Sequence, residues 1–82
     1  MNRTLSEIAK DILQHWNNPY FGAKPYIQAM LLIHSADPDA PYLAVSAKHI
    51  VTYFLANANT FRGEDAKRIK DELKKQYNIK QH

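Results

Sequence analysis

Apolar residues recur at Leu5, Ile8, Ala9, Ile12, Leu13 and Trp16, the i, i+3, i+4, i+7 spacing of a helix that buries one stripe. Thr4 and Glu7 precede this run as Thr-x-x-Glu. In that pattern the hydroxyl accepts from the Glu7 amide and the carboxylate reaches back to the Thr4 amide. Asn17-Asn18-Pro19 closes the run, because proline disfavours helical geometry in the residue before it. A first helix is therefore predicted near residues 4–17.

Pro25 suits a first helical turn, where its missing amide costs nothing. The stretch from Tyr26 to His34 is apolar on nearly every side, as expected of a helix surrounded by other elements, so a central second helix is predicted near 24–35. A short strand over Met30 to Ile33 competes with it, but the stretch does not alternate. Ser35 to Pro41 holds Asp-Pro-Asp-Ala-Pro and reads as a loop, with Tyr42 and Leu43 pinning it to the core. Ser46 is a candidate N-cap for a third helix near 44–58, whose apolar positions are Ala47, Ile50, Val51, Phe54, Leu55 and Ala58. Asn59 or Thr60 caps a fourth near 61–77, where Ala66, Ile69, Leu73 and Tyr77 form a narrower stripe suited to the outside of a bundle. With no other strand pattern, the fold class is all-α. The chain reads as one compact domain of four helices over 1–82, ordered over about 4–78, with Met1 to Arg3 and Ile79 to His82 fraying. Leu13, Met30, Ile33, Ile50, Phe54 and Leu73 are the candidate core.

Length sharpens this picture, because 82 residues cannot support two cores. The absence of cysteine removes disulfides and thiolate metal sites as sources of stability. No apolar run approaches the roughly 20 residues of a membrane-spanning helix, and the polar start Met1-Asn2-Arg3-Thr4 lacks the pattern of a secretory signal. A cytoplasmic location without membrane contact is the expectation.

Charge is distributed unevenly along the chain. Residues 1–61 balance to zero, whereas Arg62, Lys67, Arg68, Lys70, Lys74, Lys75 and Lys80 face only Glu64, Asp65, Asp71 and Glu72, so the whole net charge of +3 belongs to the last segment. The i, i+4 pairs Glu64–Arg68 and Asp71–Lys75 suit a solvated helix without a partner. The alternative is a basic ridge of Lys67, Lys70 and Lys74, with Arg62 at the preceding corner, that contacts an anion or a nucleic-acid backbone. Base reading by this helix is disfavoured, since Glu64 and Asp65 occupy the end that a recognition helix offers to bases.

Trp16, Tyr20, Phe21 and Tyr26 gather around the first connection. They cap a core if buried, and Trp16, Tyr20 and Phe21, joined by Tyr42, are the candidate partner surface if exposed. His15, His34, His49 and His82 show no metal-ligand spacing, and the chain has no nucleophile elbow, phosphate-binding glycine loop or dinucleotide turn. Asp37 and Asp39 flank a proline in a loop, without the burial that tunes catalytic carboxylates. Catalysis, a cofactor, a bound metal and a small-molecule substrate are accordingly not expected.

Trp16, Tyr20, Ala23, Pro25-Tyr26, Ala29-Met30, Ile50-Val51, Tyr53-Phe54-Leu55, Asn57-Ala58, Arg62-Gly63, Ala66, Ile69-Lys70 and Glu72-Leu73 resemble a family of small hypothetical proteins of bacterial prophages and other mobile elements. The chain departs from that pattern at Phe61, where tryptophan is usual, and at Tyr42-Leu43, where a Tyr-Gly pair is usual. The family has no established chemistry, and the resemblance implies an accessory protein that binds something. The resulting expectation is a non-catalytic protein-interaction module, whose partner is another protein or a second copy in a dimer. The runner-up is a nucleic-acid-binding accessory protein that uses the basic C-terminal helix.

Overall fold

The computed structural model describes residues 2–79. Its helices are α1 (Leu5–His15), α2 (Lys24–Leu31), α3 (Ala47–Ala56) and α4 (Glu64–Gln76), and a two-stranded antiparallel hairpin, β1 (Pro41–Tyr42) and β2 (Val45–Ser46), precedes α3. α1 packs against both α2 and α4, and α3 packs against α2. The architecture is thus mostly α around a single core, as the apolar spacing predicts.

The start of α1 is fixed twice over. The Thr4 hydroxyl accepts from the Glu7 amide at 3.2 Å while the Thr4 amide donates to the Glu7 carboxylate at 2.8 Å, completing the expected capping box. The remaining first-turn amides then meet the chain that follows α2: Leu5 donates to the Ser35 carbonyl at 2.9 Å and Ser6 to the Ile33 carbonyl at 3.0 Å. This contact explains why α2 stops at Leu31 instead of continuing to residue 35. The carbonyls of Ile33 and Ser35 are turned outward to close another helix's end. It also buries Ser6.

The hairpin corrects the expectation of a plain loop running into a helix at residue 44. Pro41 pairs with Ser46 and Tyr42 with Val45, leaving Leu43-Ala44 as a two-residue turn in which Leu43 has φ 57°. Glycine or asparagine normally marks such a turn, and here leucine takes the position, so the sequence carries no signal for it. Leu43 is 91% exposed and does not pin the loop, whereas Tyr42 is half-buried against the core. Ser46 caps α3 as predicted, accepting from the His49 amide at 3.4 Å, and the Ala40 and Pro38 carbonyls accept from Ala47 and Lys48.

α4 begins later than expected. Phe61 must reach the core, where it is 1% exposed, so the connection runs past Asn59 and Thr60, and Gly63 becomes the N-cap with φ 112°, a backbone angle that suits glycine. At the other end Asn78 adopts φ 54°, its amide donates to Lys75 and that of Ile79 to Lys74 at 2.9 Å, the paired bonds of a Schellman motif. Ile79 is therefore held in place, contrary to the expectation of fraying, and it packs against the core. Arg3 is held as well. Its guanidinium bonds Glu72 and pairs with Asp11 at 3.1 Å, and its carbonyl accepts from the Gln76 amide group at 2.8 Å. The fraying expected of Met1 and of Lys80 to His82 falls outside the described residues.

Met30, Ile33, Ile50, Phe54 and Leu73 are buried as predicted. Leu13 is not: it is 42% exposed. At about 100° per residue Leu13 stands roughly 80° round the helix from Leu5, on the edge of the stripe, and the α1–α2 groove leaves that edge open. Phe54→Ala should cost about 3–5 kcal/mol through lost transfer energy and a cavity, and Leu13→Ala under about 1 kcal/mol. Urea melts of the two variants check this, and comparable losses would contradict the assignment of core and edge.

A seam of charge joins α1 to α4. Asp11 accepts from Arg68 at 3.0 Å and pairs with Arg3 and with His15 at 3.0 Å, and Arg68 also reaches Asp65 at 3.2 Å. Arg68 therefore serves Asp11 and Asp65 in place of the expected Glu64 pairing. Its hydrogen bond, with that of Arg3, holds the Asp11 carboxyl below the usual carboxylate range against the opposing effect of burial. Because the folded pKa lies below the unfolded one, the stabilisation is present above the unfolded value, about 3.9, and disappears as pH falls through the folded value. Asp11→Asn should be less stable than the parent at pH 7 and should lose less on acidification. Denaturant midpoints followed from neutral pH to about pH 2.5 check the sign, and parallel curves would refute it.

Candidate functional site

Two surfaces collect the residues singled out in the sequence. The first is the α1–α2 connection. Trp16, a candidate partner residue, is in the core: it is 8% exposed, stacked on Phe61 with centroids 4.9 Å apart and edge-on to Phe54 at 6.3 Å. As the C-cap of α1 it continues the buried stripe, which removes it from any surface. Tyr20 and Phe21 are on the outside, 44% and 75% exposed, with ring centroids 4.8 Å apart. The Tyr20 ring lies over Gly22, where a Cβ would come within 2.6 Å of it, so glycine permits this placement. Tyr20 also lines a shallow cleft with Ala56, Asn57, Asn59 and Thr60 at the C-terminal end of α3.

Tyr42 does not join this patch. It belongs to the hairpin that leads into the N-terminal end of α3, and ten helical residues, about 15 Å, separate the two ends. Tyr26 turns to α3, stacking on Tyr53 at 5.7 Å. What does adjoin Pro19 and the connection is a groove of about 220 Å³ between α1 and α2, lined by Leu13, Pro19, Lys24, Ile27, Gln28 and Leu31. Sequence reasoning missed it by assigning Leu13 to the core. The available signal was the position of Leu13 at the stripe's edge.

The second surface is the corner between α3 and α4. Arg62, Lys67, Lys70 and Lys74, all four candidate anion contacts, line one cleft of about 280 Å³ together with Phe61, Gly63, Ala66 and Asp71. The i, i+3, i+7 spacing on α4 places the lysines along one side of the helix, and Gly63 sets the angle at which Arg62 approaches. Arg62 donates from Nε to the Asn59 carbonyl at 3.0 Å. Lys70 donates from Nζ to the Ala58 carbonyl at 2.8 Å and stands 5.7 Å from the centroid of the Phe61 ring, within cation–π range. Burial lowers the Lys70 pKa, and the charges of Lys74 and Arg62 lower it further, a sign of like charges drawn together.

The acids at the start of α4 do not line the cleft. Asp65 is directed to the opposite side, toward Arg68 and, at 3.5 Å, His15. Among the described residues no three His, Asp or Glu side chains form a metal-ligand group, and no helix is long and apolar enough to cross a membrane. No family model matches the chain, nor does any curated protein or solved structure.

Proposed function

We propose that this domain is a non-catalytic module that binds a partner protein through its α1–α2 side, the role of an accessory protein that the resemblance to prophage and mobile-element proteins implies. Phe21 carries the reading. Its ring is 75% exposed beside Tyr20 at 4.8 Å, although burying such a side chain is worth roughly 1.5–3 kcal/mol. Exposed aromatics next to an apolar groove are the usual composition of a protein-binding hot spot. The groove supplies a receiving surface in Leu13, Pro19, Ile27 and Leu31, and Lys24 stands among them. Its occupant is the apolar face of a partner segment flanked by acids, which would meet Lys24.

Phe21→Ala should leave folding stability within about 0.5 kcal/mol of the parent, since the ring has little to lose on that account. The same change should weaken binding of a partner, recovered by capture and titrated in purified form, by tenfold or more, about 1.4 kcal/mol. Leu13→Asp should act in the same direction, while Lys67→Gln, outside this surface, should not. If both apolar variants bind the purified partner as the parent does, the surface has been assigned wrongly. Sedimentation distinguishes the occupant, because a second copy would make the parent a dimer and the Phe21→Ala variant a monomer.

A further inference from the structure

The basic corner gathers four cations around one carboxylate. Here Arg62, Lys67, Lys70 and Lys74 border an open depression with one carboxylate, Asp71, while the Asp65 carboxylate pairs with Arg68 on the α1 side. Two of the cations are also anchored by backbone carbonyls of the α3–α4 connection: Arg62 by Asn59 at 3.0 Å and Lys70 by Ala58 at 2.8 Å. The bond to Ala58 uses one of three ammonium donors of Lys70. Fixing charged side chains in place before a ligand arrives reduces the entropy lost on binding.

Their dimensions indicate the ligand. From Lys67 to Lys74 the helix rises about 10 Å, at 1.5 Å per residue. That span suits a chain of two or three linked phosphates, and the four cations border one depression of about 280 Å³. The rest of α4 offers no continuation of the basic track: Arg68 is engaged by Asp11 and Asp65, and Lys75 borders a surface that also holds Asp71 and Glu72. A protein that follows a nucleic-acid backbone needs cations repeated along an extended path.

We infer that the α3–α4 corner is a binding site for a small polyphosphate-bearing ligand, held by Arg62, Lys67, Lys70 and Lys74. Burial lowers the Lys70 pKa most and the charges of Lys74 and Arg62 lower it further, and a bound polyanion would relieve that repulsion. This site is separate from the protein-binding surface, and either can fail without the other.

The test is titration of the full chain with inorganic pyrophosphate at low salt, followed by amide NMR. Saturable shifts confined to the segment from Arg62 to Lys74 are expected, with affinity weakened about tenfold in Lys70→Gln and several-fold in Lys67→Gln, and unchanged in Lys75→Gln. Lys67 is exposed, so its variant remains informative even if Lys70→Gln destabilises the corner. Shifts that do not saturate, or equal loss in Lys75→Gln, would overturn the site. Binding of a duplex that is tighter than that of pyrophosphate, with a salt slope of several phosphates, would overturn the small-ligand assignment.

Discussion

The indole of Trp16 is the surface on which the distant parts of this chain meet. It ends α1, receives Phe54 of α3 edge-on at 6.3 Å and stacks on Phe61 of the α3–α4 connection at 4.9 Å. Each such aromatic pair is worth about 0.5–1.5 kcal/mol beyond the area it buries. The effect on geometry matters as much as the energy. Because Phe61 must lie flat on Trp16, the connection cannot turn into α4 before Gly63, and the angle of that turn fixes where Arg62 and the first turn of α4 stand. Phe61 then also supports the Lys70 ammonium at 5.7 Å. A buried ring thus positions the exposed cationic corner.

Around this centre, helix ends are closed by carbonyls from remote segments. Ser35 and Ile33 complete α1, and Ala40 and Pro38 complete α3. Such closures let an 8-residue α2 and two short strands persist in a chain without disulfides, because the irregular segments provide the acceptors that helix amides require. The charged seam of Arg3, Asp11, Arg68 and Glu72 does for the α1–α4 contact what apolar area alone would do less specifically, fixing the register of α4 along α1. With Arg3, Arg68 and Glu72 partly exposed such pairs contribute modest energy, so the seam orients a contact that Ile69, Leu73 and Tyr77 stabilise.

Much of this fold can be read from local signals. Thr4 with Glu7, Ser46, Pro25 and the stripes of α1, α3 and α4 all act within one or two helical turns, and apart from Leu13 at the edge of the α1 stripe they appear where their spacing places them. The differences arise where a distant segment decides the outcome. Nothing near Leu31 announces that the carbonyls of Ile33 and Ser35 are required by α1, so the predicted α2 ran too long. Leu43 occupies a turn position that leucine does not signal, and the hairpin went unseen. The same division holds for the sites. The basic cleft follows from spacing on one helix and was legible as a set, whereas the α1–α2 groove depends on how far one helix covers another, and a helical wheel cannot supply that. Trp16 was ambiguous for the related reason that its burial comes from Phe54 and Phe61, 38 and 45 residues away in the numbering.

The separation of the two surfaces has a physical consequence for how the molecule could work. Tyr20 and Phe21 are carried by the connection between α1 and α2, while the cations stand on α4 and the segment before it, and the rings of Trp16, Phe54 and Phe61 lie between these elements in the core. A ligand at either surface would affect the other only by its differential affinity for two arrangements of the elements between them. Asn57 and Asn59 touch both sides: the Asn57 carboxamide oxygen lies beside Gly22 and Tyr20, and Asn59 lines the same cleft as Tyr20 while its carbonyl accepts from Arg62 at 3.0 Å. Contact between the apolar surface and the basic corner therefore runs through the end of α3 and the connection after it, where Asn57 also donates its side-chain amide to the Tyr53 carbonyl at 2.9 Å.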